Sequence, residues 1–350
     1  MRGGAALHVR RLEEQDMPRW DEFVRGQAEG SFFHLSGWHR VMRRAFGHEC
    51  HFLMAERGGE IVAVLPLVHI DSRLFGRSLI SNAFCVYGGP VGEDQEAVRA
   101  LDREAVSLAK TLGVGHLEYR LRRPMHDPSE GWIGRDDLYV TFRKQISDDD
   151  EANLKAIPRK QRAVVRKAMS LGLAAHGTDD PDAVHAVYAE SVRNLGTPVF
   201  PRRYFRALKA EFGEACGLML IEEEGRPVAA CLSFFFRDEV LPYYGGGTSR
   251  ARAVGGNDLL YWEIMRDAVR RGARLFDFGR SKVGTGAYNF KKYWGFEPEP
   301  LHYESRLVRA TKLPETNPNN PKYQHAIALW RRLPLAVANR IGPLIARNLG

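Results

Sequence analysis

In GAYNFKKYWGFEP, Gly286 to Pro298, two adjacent lysines stand among Tyr288, Phe290, Tyr293, Trp294 and Phe296. An ammonium group kept from water by aromatic neighbours acts strongly on negative charge that develops beside it in a transition state. Lys291 and Lys292 are candidates for that work. The same residues also describe a lysine stem laid over Phe290 and Trp294 with its charge outside, and on spacing alone this packing is preferred. A second constellation is PRKQRAVVRKAMSLG, a short helix opened by Pro158 and stopped by Gly172. Arg159, Arg162 and Arg166 fall on one face at i, i+3 and i+7, and Val164, Ala168 and Leu171 on the other. Such a stripe grips phosphate bidentately or is simply a solvated basic face.

Tyr87, Tyr243 and Tyr244 precede glycine pairs at strand ends, where backbone approaches a ligand closely or a tyrosine packs a strand terminus. Asp277, the one acid in Leu-Phe-Asp-Phe-Gly, is either a general base or a group that orients Arg280 or a backbone turn. The orienting role is preferred.

These residues sit on a layout that occurs twice. His51 to Ile70 and Gly217 to Phe236 each read as strand, glycine turn, strand. Tyr87-Gly88-Gly89 and Tyr244-Gly245-Gly246 follow. Then come helices marked by Ala97, Leu101, Ala105 and Leu108 and by Leu260, Ile264 and Ala268, stopped by Gly113 and Gly272. Each helix leads into a short strand carrying one acid, Glu118 or Asp277. Four features in one order, offset by roughly 160 residues, indicate two related units. The expected division is 1–150, then 151–310 with the chemistry, joined across SDDDEANLK. After that, 311–350 forms a Pro/Asn-rich linker over Leu313 to Gln324 and two short amphipathic helices broken by Pro334 and Pro343.

Composition sets outer bounds. The 350 residues are 44% hydrophobic and 27% charged, which suits a globular chain with a large core and excludes disordered and fibrous classes. There is no apolar h-region at the start and no run of about 18 apolar residues, so a cytoplasmic protein is expected. Cys50, Cys85, Cys216 and Cys231 show neither C-x-x-C nor metal-ligand spacing, so neither disulfides nor a metal is expected. A net charge of +8 favours anionic partners. The basic tail, with Lys322, Arg331, Arg332, Arg340 and Arg347, suits either an anionic membrane surface or docking on its own domains, the second being preferred.

Taken together, Tyr243 to Pro298, SGWHRV, VLPL, YGGPVGED, PRKQRAVVRKA and the tail NPNNPKYQ with LWRRLP resemble the Fem family of peptidoglycan aminoacyltransferases. The resemblance is closer still to the Fem-like proteins found with exosortase (PEP-CTERM) and exopolysaccharide systems. It covers nearly the whole chain. It implies an α/β (α+β) protein of two tandem Gcn5-related N-acetyltransferase (GNAT) domains, each a mixed central sheet flanked by helices, with a short helical tail. The implied activity is transfer of an aminoacyl group from aminoacyl-tRNA to an amine on a phosphate-bearing envelope precursor. The family pattern matches Lys291 to the position that meets the acyl group, with Lys292 as the adjacent alternative, and moves Arg162 and Arg166 toward the precursor's phosphates. By resemblance, Trp38 and Arg40 open an acceptor cleft in the first unit; Arg280 and Tyr288, beside Asp277 and Lys291 in sequence, are further substrate-binding candidates.

Fem enzymes that bind tRNA carry two extended heptad helices, and Leu171 to Tyr243 has no such stretch. Acyl-CoA is therefore the rival donor. In this superfamily its pyrophosphate lies on a glycine turn before a helix, and Arg252, Gly255, Gly256 and Asn257 match that turn in part, although starting a helix is reason enough for them. No bound cofactor is expected. The alternative from another class is a catalytically silent binding protein of an exopolysaccharide or sorting system.

Overall fold

The computed structural model describes residues 5–73, 75–313 and 321–350, with the side chains of 321–323 left aside. Two compact units result: Met1–Asp137 with Leu301–Glu315 and Asn348–Gly350, and Leu138–Pro300 with Thr316–Arg347.

The first unit holds the antiparallel hairpin of Leu53–Arg57 and Glu60–Leu65, with Leu7–Arg11 beside it. Its larger sheet runs in the order Glu49–Cys50, Leu67–Ser72, Gly76–Ser81, His116–Leu121, His302–Leu307, Ile133–Arg135. Gly76–Ser81 and His116–Leu121 pair in parallel, a connection that needs a crossover. Helix Gln95–Leu112 provides it. Asp94 caps its start by accepting from the amides of Glu96 and Ala97, Gly113 ends it at φ +61°, and Ala97, Leu101, Ala105 and Leu108 are buried along one face.

The second unit repeats the device. The hairpin of Cys216–Glu223 and Arg226–Phe236 continues into Glu239–Gly247, which pairs in parallel with Leu275–Asp277 across helix Gly256–Arg270. Tyr244 turns toward Tyr188 of helix Pro181–Leu195, while Gly245 faces Tyr261 of helix Gly256–Arg270. Strand alternation therefore puts the two helices on opposite faces of the sheet.

The units depart from the expected spans in a reciprocal way. Tyr139–Gln145, expected in the first domain, pairs antiparallel with Leu275–Asp277 of the second unit. His302–Leu307, expected in the second, pairs antiparallel with His116–Leu121 of the first. Each copy's closing strand lies in the other copy's sheet, so the boundary falls before the acidic run rather than inside it.

In the tail, helix Pro321–Arg332 begins within the stretch expected to be irregular, of which 314–320 lie outside the described residues. Pro343 is carried inside helix Leu335–Ala346 rather than breaking it. That helix buries Ala338, Gly342 and Ala346, and a Cβ on Gly342 would lie 3.0 Å from the amide nitrogen of Val199. Arg331 donates to the Leu195 carbonyl at 3.2 Å. The tail thus docks on the second unit by small residues and backbone contacts. Among the described residues, no helix is long and apolar enough to cross a membrane.

Candidate functional site

The parallel pair of the second unit ends at Asp277, whose residue is fully buried. Its Oδ1 accepts from Thr141 Oγ1 at 2.8 Å and from the Gly279 amide at 2.7 Å, and Arg143 Nε lies 3.4 Å from Oδ2. These partners fix the turn after the strand, where Gly279 has φ +67°, a conformation costly for any residue with a Cβ. The fixed turn presents two backbone carbonyls to Lys291. Nζ donates to the Gly279 carbonyl at 2.8 Å and to that of Arg280 at 3.3 Å.

Lys291 rises from helix Gly286–Tyr293, started by Thr285, whose hydroxyl accepts from the Tyr288 amide. Only 8% of the residue is exposed, and Nζ lies 5.7 and 5.9 Å from the rings of Phe142 and Phe278. Burial disfavours the charged form and pushes its pKa down to about 7. The charge of Asp277 opposes that shift, and Arg280 adds to it. Near neutral pH the group is divided between ammonium and amine. Lys292 is exposed, with Nζ 5.8 Å from the Tyr288 ring. The two lysines therefore differ in exposure and in the backbone carbonyls that hold them.

Behind this helix, Trp294 Nε1 donates to Asp258 Oδ1 at 3.0 Å, and the Gln161 amide donates to the same oxygen. Burial raises the Asp258 pKa, and the two donors act against that rise. A Cβ on Gly295 would stand 3.0 Å from Pro158. The start of helix Arg159–Ser170 is thus tied to the end of the lysine helix. On that helix Arg159 and Arg166 are exposed, while Arg162 is half-buried and donates to the Lys155 carbonyl at 2.9 Å. Its inner face is Val165 and Ala168, with Leu171 exposed. Of the expected apolar face, Ala168 is buried and Val164 half-buried, while Leu171 is exposed because it lies past the helix end.

Other expected site residues are absorbed by packing. Trp38 is fully buried and donates to the Phe32 carbonyl at 3.0 Å, so it is core of the first unit rather than the wall of a cleft. Arg40, on the same helix, lies 3.9 Å from Glu14. Tyr87 is buried beside Phe33 with Arg122 over its ring. Tyr244 is buried and its hydroxyl meets that of Tyr204 at 2.9 Å, while Tyr243 is half-buried against Phe234. Tyr288 stacks edge-on against Phe142, and the Arg280 guanidinium lies over Tyr139 at 4.7 Å.

The glycine pairs also have packing reasons. Cβ atoms would come within 2.4 Å of the Ser81 carbonyl at Gly88 and of Ser191 Oγ at Gly246. In the expected donor turn, Gly255 adopts φ +69° against Val164 and Ala168, helix Gly256–Arg270 begins at the next residue, and Arg252 is exposed on helix Ser249–Val254. Between residues 171 and 243 the helices are Pro181–Leu195 and Arg202–Phe212, neither of them an extended arm.

Thr141, Phe142, Arg143, Gln161 and Asp258 were not singled out from sequence. The first three lie on the strand exchanged between units, so no local pattern points to them. Gln161 and Asp258 lie inside the arginine helix and the glycine-turn motif, hidden by the arginines and glycines beside them. One cleft of the second unit, lined by Leu218, Phe235, Glu263 and Arg271 among others, contains none of the expected residues.

Residues 155–292 match the family described as Acetyltransferase (GNAT) domain. No curated protein matches the chain by sequence. Among solved structures, the crystal structure of FemX is similar at a TM-score of 0.69 and 15% identity, covering 86% of this chain and 98% of that one. A tandem GNAT protein from the clavulanic acid biosynthesis pathway is similar at 0.56 and 16%, covering 88% and 100%. The C-terminal domain of a putative lysylphosphatidylglycerol synthetase from Agrobacterium fabrum is similar at 0.55 and 16%, covering 83% and 92%. The fold is that of two tandem GNAT-like domains, and the chain is an acyltransferase.

Proposed function

We propose that the second unit transfers an aminoacyl or other acyl group to an amine of a phosphate-bearing cell-envelope precursor, a peptidoglycan or exopolysaccharide unit, as in exosortase-linked systems. The observation that carries this reading is the buried Lys291. In its ammonium form two of its N–H bonds are held by the Gly279 and Arg280 carbonyls, and among the described residues the third is uncommitted. Aimed at an acyl carbonyl, that N–H stabilises the oxygen as the amine attacks and negative charge builds. Collapse of the intermediate breaks the ester of an aminoacyl-tRNA or the thioester of an acyl-CoA, and the leaving group takes the proton lost by the amine. Asp277, with its oxygens committed to Thr141, Gly279 and Arg143, holds the turn that positions Lys291 and takes no proton. Arg166, with Arg162, holds the precursor's phosphate beside the lysine helix.

The tail supports placement at the inner membrane face. Leu344 is 64% and Leu329 66% exposed, with Val337 and Ile341 also outward among Arg331, Arg332 and Arg340. An Ile341→Glu, Leu344→Glu protein is expected to lose recovery with anionic liposomes, and unchanged flotation removes the membrane from the reading.

The test of the activity is incubation with labelled aminoacyl-tRNA and, separately, labelled acyl-CoA against envelope precursor extracts. Label reaching a precursor from one donor identifies it. No transfer from either donor overturns the proposal.

A further inference from the structure

A cluster on the first unit, separate from the residues around Lys291, has the composition of a metal site. Strand Glu49–Cys50 pairs antiparallel with Leu67–Ser72, and the register sets Glu49 directly opposite His69. The ladder continues through the His51 amide, which donates to the Leu67 carbonyl at 2.8 Å. Residues two apart on a strand share a face, as do directly opposed residues. Glu49, His51 and His69 therefore project together, while Cys50 points away, its Sγ lying 3.7 Å from the His39 carbonyl.

One donor atom from each of the three residues lies within 4.8 Å of the others. His51 Nε2 is 3.4 Å from Glu49 Oε1, and His69 Nδ1 is 3.9 Å from Glu49 Oε2. Only 1% of the His51 side chain and 11% of that of His69 are exposed. Neither ring nitrogen of His51 has a hydrogen-bond partner, nor does Nε2 of His69. Buried polar atoms left in this way cost free energy that packing does not return.

From this geometry we infer that Glu49, His51 and His69 bind a late first-row divalent transition metal, with zinc as the natural occupant, across the edge of the first unit's larger sheet. Two imidazoles and a carboxylate are a borderline donor set that suits zinc over magnesium or calcium. Ligands at about 2.0–2.1 Å in a tetrahedron stand about 3.4 Å from one another, so the side chains close by rotamer adjustment alone. Three protein ligands leave a fourth position for water. The metal fastens a two-residue edge strand to its neighbour and gives one of the two orphaned nitrogens of His51 a partner.

The test uses the full chain stripped with a chelator and titrated with Zn2+, then Co2+, following metal content, the visible Co2+ band and Tm. One metal per chain, a Co2+ spectrum of low-symmetry nitrogen and oxygen ligation, and a Tm rise are expected. His69→Ala and Glu49→Gln, at positions that do not fill the core, should weaken binding about tenfold or more while near-ultraviolet dichroism stays native. His51→Ala is the stronger variant where it folds. Absence of stoichiometric binding, or binding equal to wild type in both His69→Ala and Glu49→Gln, overturns the site. Because no readout involves acyl transfer, the outcome is independent of the proposed activity.

Discussion

The two units treat the same place in the same framework differently. In both, a parallel strand pair bridged by a helix ends beside a buried cation. In the first unit it is Arg120, whose guanidinium donates to Glu118 at 3.0 Å, to the Cys85 carbonyl at 2.8 Å and to the Gly350 carbonyl at 2.9 Å. Its own carbonyl receives the amides of Gly88 and Gly89. Each of its three nitrogens is engaged, and the group serves as a bolt. In the second unit the cation is Lys291, held by two carbonyls and by no carboxylate in ion-pair contact among the described residues, with its pKa brought to about 7. A duplicated frame thus keeps one cation tied into structure and leaves the other, the one proposed to act on the acyl group, held by two carbonyls alone among the described residues.

The exchange of closing strands is the first place to break this comparison. A fragment of residues 1–150 carries Tyr139–Gln145, which it has no use for, and lacks His302–Leu307, which covers the edge of His116–Leu121. It is expected to be insoluble or to unfold without cooperativity on expression, since an uncovered strand edge invites aggregation. A soluble, cooperatively unfolding fragment would show that the exchange is dispensable.

The two cations should next differ in sign. Arg120→Met strands Glu118 and the carbonyls it served, and should cost about 3–5 kcal/mol in urea unfolding at pH 7. Lys291→Met removes a poorly compensated buried amine, and stability should hold or rise. Equal losses in both would erase the distinction.

The protonation of Lys291 sharpens it further. With a folded-state pKa of about 7 and an unfolded one of about 10.4, the unfolded chain binds more protons between those values. Stability should therefore rise with pH over that window by about 1.4 kcal/mol per unit. The penalty is fully present below pH 7. The increment is read as the difference between wild type and Lys291→Met, and parallel curves would mean that the group is not held as described. The smallest effect is expected at Lys292→Ala, within about 0.5 kcal/mol of wild type and with activity nearly unchanged, because the side chain is exposed.

Much of this frame was legible in the sequence because it is local. The hairpins, the helices with their buried stripes and their glycine stops follow from spacing over a few turns. What was not legible depends on partners far along the chain. Tyr139–Gln145 reads as a strand of whichever unit precedes it, and only sheet pairing assigns it to the other. Trp38, expected at a cleft, is core, and the strand-end tyrosines are packed, because residue type says nothing of which side of a helix or strand faces in. The aromatic frame of Lys291 fitted a stem with its charge outside equally well, because the rings that enclose Nζ, Phe142 and Phe278, lie outside that motif, and its two carbonyl partners depend on a turn set by Thr141 across the sheet. The histidine cluster escaped because its spacing becomes meaningful only through the register that sets Glu49 against His69.

The central claim is that Lys291, and not its neighbour or its counterpart in the first unit, acts on the acyl group. Its most direct test is kcat/KM for label transfer by Lys291→Met with the productive donor, measured beside an unfolding curve that shows the protein intact. A fall of about 10²–10³, as for loss of one oxyanion donor, is predicted. Wild-type transfer by the folded variant would contradict it.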